Sequence, residues 1–187
     1  MKQMMHPDVD RLMLTQEEIA EKVKAIAEKL DKLYEGRTPV VVCILKGSVI
    51  FYADLIRNMQ TPIELDFMCV SSYGAGSVSS GKLNIKKDLS CDIEGRDVLI
   101  VEDIIDSGNT LYKLKKILME RKPASLNIVT LLDKPDRRVV PMEPDYTCFV
   151  IEDEFVVGYG LDYAEKYRNL PYVGVLKRSV YEKKKFY

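Results

Sequence analysis

Three short stretches of the chain are apolar almost without a break, and this feature restricts the possible folds more than any other. They read PVVVCIL at residues 39–45, VLIV at residues 98–101 and IVTLL at residues 128–132. A strand with one face in water alternates apolar and polar residues, whereas a strand covered on both faces is apolar throughout. The three stretches therefore predict central strands of a parallel sheet.

Helical patterns separate these strands. Residues 15–36 open with a capping box of Thr15 and Glu18, repeat apolar residues at helical spacing and end at Gly36. Two further helices are predicted, at residues 48–59 and 110–122. Four further strands are predicted, at residues 62–73, 82–89, 146–151 and 172–176. The alternation of strand and helix predicts an α/β fold with parallel strands and helices on both faces.

Length and charge favour one domain that binds small molecules. The 187 residues fit a single domain with a sizeable core. The 28 Lys and Arg residues nearly balance 29 Asp and Glu residues, so the net charge of -1 gives no reason to expect nucleic acid or a membrane surface as a partner. No stretch approaches the ~20 apolar residues that span a bilayer, and we predict a cytoplasmic protein. The basic tail at residues 177–185 is predicted to be a solvated terminus.

Histidine and cysteine chemistry is sparse. The single histidine, His6, nearly excludes His-based triads and multi-histidine zinc sites. His6 itself is predicted to be a solvated residue near a chain end. The four cysteines lie far apart and form no CxxC pair, which predicts buried free thiols.

The stretch VLIVEDIIDSGNTL at residues 98–111 carries the clearest functional signal. Ligands of open α/β sheets bind beyond the carboxyl ends of the strands, where this stretch places Glu102 and Asp103. The small polar residues that follow open a helix, whose free N–H groups favour a phosphate. Alternatively, Asp106 or Ser107 only caps the helix, but capping leaves the acidic pair unexplained.

The same stretch resembles the 5-phosphoribosyl 1-pyrophosphate (PRPP) motif of phosphoribosyltransferases. Four more motifs follow the order of hypoxanthine-guanine phosphoribosyltransferases of the compact bacterial kind, which the chain resembles over nearly its whole length. They are LKGS at residues 45–48, SSYG at 71–74, LLDKPDRR at 131–138 and FVVGYGLDYAEKYRNLPYVGVL at 155–176. The resemblance implies a type I phosphoribosyltransferase fold in one domain over residues 1–187. Such a fold has a mostly parallel central sheet flanked by helices, a small hood from the N-terminal segment and the part after about residue 150, and a mobile lid loop.

The resemblance assigns the PRPP site. Glu102 and Asp103 would bind the ribose hydroxyls and, through water, Mg²⁺. Asp106 would face the purine as the general base or acid for the proton at N7. The 5′-phosphate would be bound by Ser107, Gly108, Asn109 and Thr110. Asn109 departs from the family, where lysine, leucine or another residue is common at this position.

The resemblance also assigns the diphosphate and the metal. Lys46 and Gly47 match the pyrophosphate-binding turn, which often contains a cis peptide, although a lysine and glycine after a strand are more often an ordinary turn. Arg168 would neutralise pyrophosphate, although an isolated arginine is more often a surface charge. Asp162 would ligate the Mg²⁺ that the pyrophosphate holds.

The purine would contact residues from three motifs. Lys134 would donate to the 6-oxo group, although a solvated loop lysine is the simpler interpretation. Phe155 would stack on the base, and the backbone of Val156 and Asp162 would meet the edge that carries the amino group of guanine. Ser72 and Tyr73 would belong to the lid at residues 72–82, whose Gly and Ser content also suits a passive linker.

These assignments predict a Mg²⁺-dependent purine salvage transferase that converts hypoxanthine or guanine and PRPP to IMP or GMP and pyrophosphate. Two alternatives stay open: a PRPP-sensing regulator on the same fold, and a transferase that prefers xanthine. Lys134 argues against adenine. A homodimer or homotetramer is expected from the resemblance.

Overall fold

The structure is a computed structural model that describes residues 5–71 and 83–182. It contains two β-sheets. The elements follow the order β1 (Val9–Leu14), α1 (Gln16–Leu33), β2 (Val40–Leu45), α2 (Val49–Asn58), β3 (Glu64–Ser71), β4 (Asn84–Lys87), β5 (Asp97–Ile105), α3 (Asn109–Met119), β6 (Ser125–Asp133), a 3-10 turn (Pro135–Arg137), β7 (Tyr146–Val150), β8 (Val156–Val157), β9 (Val173–Leu176) and α4 (Arg178–Tyr181).

The large sheet has six strands in the order β4-β3-β2-β5-β6-β7. All its neighbours pair in parallel except β4, which lies antiparallel to β3 at one edge. The predicted α/β fold is thereby confirmed, and β4 at Asn84–Lys87 confirms the predicted antiparallel excursion. Strand β5 lies between β2 and β6, so its carboxyl end lies among the central strands of the sheet.

Both faces of the large sheet are covered, which explains the unbroken apolar runs. On one face, Val41 and Cys43 of β2 pack in the cluster that contains the buried residues of α1 and α2. On the other face, Val40 and Val42 pack with α3. Successive side chains of a strand point to opposite faces, so each of these four positions must be apolar.

Helix α1 begins as predicted. The Thr15 side chain accepts from the backbone N–H of Glu18, and the Glu18 carboxylate accepts from the backbone N–H of Thr15. Ile19, Val23 and Leu30 form its buried stripe. The reciprocal bonds satisfy two N–H groups that no helical partner reaches.

A small antiparallel sheet joins the two ends of the described chain, in the order β1-β9-β8. The prediction of a strand at residues 172–176 is confirmed, but the strand lies in this small sheet and not in the parallel one. The sequence pattern does not reveal β1, because two irregularities in its register break the alternation that marks a half-buried strand.

The environment of His6 also differs from the prediction. Its backbone N–H donates to the Tyr172 hydroxyl at 2.7 Å, and its ring meets the Tyr167 ring edge-on at 5.2 Å. His6 therefore contacts residues beside the small sheet, while its side chain stays 39% exposed.

The four cysteines are free, as predicted, with Cys43 and Cys148 buried and the other two partly buried. Within residues 5–71 and 83–182, no helix is long and apolar enough to cross a membrane. A cytoplasmic location and a single domain over residues 1–187 stay predictions.

Candidate active site

The acidic pair lies at the carboxyl end of β5. The strand extends to Ile105, so Glu102 and Asp103 belong to the strand rather than following it as the sequence suggested. Glu102 is in register with Thr130 of β6, which holds it in the middle of the sheet.

The loop after β5 forms a small cavity at the start of α3. The cavity has a volume of about 130 Å³ and is lined by Glu102, Ile104, Ile105, Asp106, Ser107, Gly108, Thr110 and Leu111. Gly108, with φ of 78°, is the N-cap of α3 and has no side chain to cap the helix. Of the two residues considered as caps, Asp106 bonds Arg137 instead, whereas the Ser107 hydroxyl accepts from the backbone N–H of Asn109 at 3.5 Å. The free N–H groups at this helix start suit a phosphate.

Asn109 has a local partner in this loop. Its side-chain amide donates to the Ser107 hydroxyl at 3.4 Å. The Asn109 side chain is therefore held within the loop by Ser107.

An arginine that the sequence did not single out contacts the loop that follows β5. The Arg138 side chain is nearly buried, pairs with the Asp133 carboxylate and donates to the backbone carbonyl of Asp106 at 2.6 Å. A Cβ on Gly108 would lie 2.9 Å from Cδ of Arg138, so the two chain segments touch. The only available signal was the position of Arg138 at the end of the LLDKPDRR motif.

A second, larger cavity adjoins the first. It measures about 470 Å³, and its walls come from both sheets: Asp103, Ile104, Asp106, Lys134, Arg137, Asp153, Glu154, Phe155, Val156, Leu161, Asp162 and Tyr181. Ile104 and Asp106 line both cavities. One ligand could therefore reach from the phosphate-sized cavity into the larger one past Asp106.

Lys134 lies in the wall of the larger cavity. Its side chain is 8% exposed, donates to the backbone carbonyl of Glu154 at 2.7 Å and lies 3.6 Å from the Asp153 carboxylate. The interpretation of Lys134 as a solvated loop lysine is therefore wrong. A buried ammonium beside an open cavity is a donor for a ligand acceptor.

The Asp106 carboxylate is half-exposed and accepts from Nε of Arg137 at 2.9 Å. Arg137 also pairs with Asp153 at 3.2 Å, and so bridges two carboxylates across the cavity wall. The sequence analysis did not single out Arg137, because a charged residue in a loop is usually solvated, and its only signal was its place in the LLDKPDRR motif.

Aromatic rings form another part of the wall. The Phe155 ring is stacked on Tyr181, with centroids 4.7 Å apart and planes 18° apart, and meets the Tyr163 ring edge-on at 5.6 Å. Tyr181 belongs to α4, inside the segment predicted to be a solvated terminus. That prediction is wrong for Val180 and Tyr181, which are partly buried, because their apolar contacts were invisible in a run of basic residues.

The turn after β2 lies against the acidic pair. The cis peptide of this turn is Leu45–Lys46, one bond before the one considered from the sequence. A Cβ on Gly47 would lie 1.7 Å from the Asp103 carboxylate, and a Cβ on Gly160 would lie 2.0 Å from the carbonyl oxygen of Gly47. Only glycine fits at these two contacts.

Arg168 is held beside this turn. It bonds the Asp162 carboxylate and the backbone carbonyl of Gly160, both at 2.8 Å, and its side chain is 25% exposed. The interpretation of Arg168 as a surface charge is therefore wrong. Lys46 pairs at 3.0 Å with Glu165, whose pKa it lowers.

Burial and mutual repulsion raise the pKa values of two carboxylates of the site. Burial, and then the Asp103 charge, raise the pKa of Glu102 well above its ordinary value. Burial, and to a smaller extent the nearby Asp162 charge, raise the pKa of Asp103 to about 6. A cation near these groups would relieve the repulsion.

No cluster of three or more His, Cys, Asp or Glu side chains suited to a metal occurs in the described residues. Mg²⁺ commonly binds through one or two carboxylates and takes its other ligands from water and substrate phosphates. Asp103 and Asp162, which share the larger cavity, fit an ion of that kind.

The structure thus brings predicted residues of the phosphate and purine sites around two adjoining cavities. The predicted diphosphate residues lie outside the lining of both cavities, with Gly47 against Asp103 and Arg168 bonded to Asp162. Ser72, Tyr73 and the predicted lid at residues 72–82 lie outside the described residues.

Comparison with known proteins defines the class first. The family model of the phosphoribosyl transferase domain matches residues 12–164, which include the sheet, the phosphate-sized cavity and Asp162. A phosphoribosyltransferase is the class that this fold and site define.

The particular family follows from closer relatives. A hypoxanthine-guanine phosphoribosyltransferase of Streptococcus pneumoniae is 55% identical over 95% of this chain and 99% of its own. One from Streptococcus thermophilus is 53% identical over 96% of this chain and all of its own. The crystal structure of a hypoxanthine phosphoribosyltransferase from Staphylococcus aureus matches with a TM-score of 0.92 and 50% identity, over 98% of this chain and all of its own. The chain belongs to the hypoxanthine-guanine phosphoribosyltransferase family.

Proposed function

We propose that this protein transfers the 5-phosphoribosyl group of PRPP to hypoxanthine or guanine, forming IMP or GMP and pyrophosphate. One observation carries the proposal: a phosphate-sized cavity at a helix start opens, past Asp106, into a cavity with an aromatic wall and a buried lysine. The names and high identity of the relatives support the same activity.

The phosphate end of PRPP would bind at the start of α3. The backbone N–H groups of residues 107–110 and the hydroxyls of Ser107 and Thr110 would donate to the 5′-phosphate. Glu102 lines this cavity and would accept from a ribose hydroxyl, while Asp103 would do so from the larger cavity.

The base would bind in the larger cavity. Phe155 offers a ring face, and the Lys134 ammonium would donate to the 6-oxo group of the purine. The 6-amino group of adenine cannot accept this bond, so the proposal favours 6-oxopurines. The backbone of Val156 and Asp162 would meet the 2-position of the base.

Asp106 would act on the proton of the base. The N9 lone pair attacks the anomeric carbon, the electrons of the carbon–oxygen bond leave with pyrophosphate, and the N7 proton passes to the Asp106 carboxylate. Arg137, bonded to Asp106, would keep the carboxylate directed at the cavity.

The diphosphate would bind at the turn of Lys46 and Gly47, with Arg168 beside it. Mg²⁺ would enter with the diphosphate, held by Asp162 directly and by Glu102 and Asp103 through water, and would supply charge neutralisation when bound.

The test is formation of nucleotide and pyrophosphate from purified protein, PRPP and Mg²⁺, with hypoxanthine, guanine, xanthine and adenine supplied separately. We expect product from the first two bases and none without Mg²⁺. Product from xanthine alone would favour the xanthine-preferring alternative. Binding of PRPP without any product would favour the sensing regulator.

Assembly into a homodimer or homotetramer is part of the same proposal, and sedimentation of the purified protein measures it.

A further inference from the structure

One carboxylate of the chain binds both cations assigned to the diphosphate. Oε2 of Glu165 lies 3.0 Å from Nζ of Lys46 and 3.4 Å from Nη2 of Arg168. The two cations come from distant parts of the chain, and a single oxygen joins them. In this arrangement, Oε2 of Glu165 makes the two contacts that a diphosphate oxygen bound by Lys46 and Arg168 would make.

The two cations differ in what else they bind. Arg168 keeps the Asp162 carboxylate and the Gly160 carbonyl at 2.8 Å, so it stays in place without Glu165. Lys46, in the part of the chain that the structure describes, pairs with Glu165 alone. Both Lys46 and Glu165 are 65% exposed, so water screens their bond and a stronger anion can displace it.

The backbone fixes Glu165 at this position. Ala164 has φ of 52° and Glu165 has φ of 62°, both in the left-handed region. The N–H of Glu165 donates to the Asp162 carboxylate at 2.9 Å, which closes the turn. The turn therefore directs the Glu165 side chain toward Lys46 even though the side chain itself is exposed.

We propose that Glu165 competes with the diphosphate for Lys46 and Arg168, holding both cations while the site is empty and leaving them when PRPP or pyrophosphate binds. The inference rests on the proposed function, because it takes these two cations to be the diphosphate site. A diphosphate brings more negative charge than one carboxylate, and its repulsion of Glu165 drives the exchange. The competition weakens PRPP and pyrophosphate alike, and so speeds loss of the product.

The test is Glu165→Gln, which keeps the size of the side chain and removes its charge. Titration calorimetry with inorganic pyrophosphate and Mg²⁺ should give a Kd about five- to tenfold lower than in the wild type, from the strength of two exposed ion pairs. The KM for PRPP and the inhibition constant of pyrophosphate should fall in the same direction.

Glu64→Gln is the matched control. Glu64 is also an exposed glutamate paired with an arginine, at 2.7 Å from Arg96, and it lies at the start of β3, outside the lining of both cavities. It should leave the Kd of pyrophosphate unchanged.

An equal Kd in Glu165→Gln and the wild type would overturn the inference, and a higher Kd would also do so by showing that Glu165 only positions the cations. Nucleotide formation by the wild type in either case would leave the proposed function intact. A wild type that neither forms nucleotide nor binds pyrophosphate would overturn both.

Discussion

Gly160→Ala tests how far the site depends on close approach between the turn after β2 and the loop before Asp162. Gly160 has φ of +100°, and a Cβ there would lie 2.0 Å from the carbonyl oxygen of Gly47. One backbone segment must then move by about 1 Å to reach an allowed contact. The turn that carries Lys46 would be displaced from Asp103.

The magnitude can be separated into two contributions with a matched variant. Gly95 has φ of +69°, and a Cβ added there would meet nothing within 4 Å, so Gly95→Ala carries only the backbone cost, about 1–2 kcal/mol. Gly160→Ala adds overpacking of about 1–3 kcal/mol. We expect free energies of unfolding lowered by about 1–2 and 2–5 kcal/mol, respectively.

The assays are urea unfolding at fixed protein concentration and steady-state kinetics with varied PRPP. Gly160→Ala should lower kcat/KM for PRPP by about a hundredfold, because a shift of about 1 Å in a binding group has an effect of that order. Gly95→Ala should leave the kinetics unchanged. Equal losses of stability in the two variants, with normal PRPP kinetics in both, would refute the reasoning.

Three further predictions concern single side chains. Asp106→Asn should fold normally and bind PRPP, since the residue is half-exposed, while kcat falls about a hundredfold or more; stopped-time assays and PRPP titration measure the two effects. Tyr181→Ala should raise the KM for hypoxanthine about three- to tenfold by removing the ring stacked on Phe155, and should leave the KM for PRPP near the wild-type value. Tyr181→Phe keeps the ring and should leave both KM values near those of the wild type. Asp66→Asn should lower stability at pH 7, because burial raises the pKa of Asp66 but hydrogen bonds from backbone N–H groups outweigh this effect and lower the pKa to about 2. The folded-state pKa of Asp66 lies below the unfolded value of ~3.9, so its stabilisation of ~2.5 kcal/mol is present above pH ~3.9 and is lost as the pH falls toward 2. Unfolding curves of the variant and the wild type at several pH values measure this loss.

Each of these has a contrary result. Normal turnover in Asp106→Asn would remove that residue from the mechanism. A rise in the KM for PRPP equal to that for hypoxanthine in Tyr181→Ala would indicate a general disturbance of the site. A constant stability difference between Asp66→Asn and the wild type from pH 7 to pH 2 would show that the charge of Asp66 does not act as described.

The large sheet was predictable because its chemistry is local. Continuous apolar runs such as residues 98–101 are typical of strands covered on both faces, and the capping box of Thr15 and Glu18 lies within four residues. The small sheet was not, since the register of β1 is irregular and the pairing of β1 with β9 depends on contacts across almost the whole chain.

The same distinction applies to the site. The acidic pair and the loop at residues 107–110 could be identified because they adjoin in sequence. Arg137, Tyr181 and Glu165 could not, because each acts through a partner more than twelve residues away and is an ordinary surface residue when taken alone. Motif order located the region of Lys134, but only packing shows that its side chain is buried.

The long-range pairing in the small sheet determines the order in which the two ends of the site fold. During synthesis, residues 9–14 emerge long before their partners at residues 173–176, and must wait unpaired while the parallel strands assemble. The phosphate-sized cavity is lined by residues of β5, of the loop after it and of α3, whereas the carbonyl of Phe155 accepts from the backbone N–H of Leu176 and β8 pairs with β9. Such long-range closure is slow compared with local folding. A nascent chain would therefore acquire its phosphate end first and its base end last, and could not select a purine before the final strand is in place.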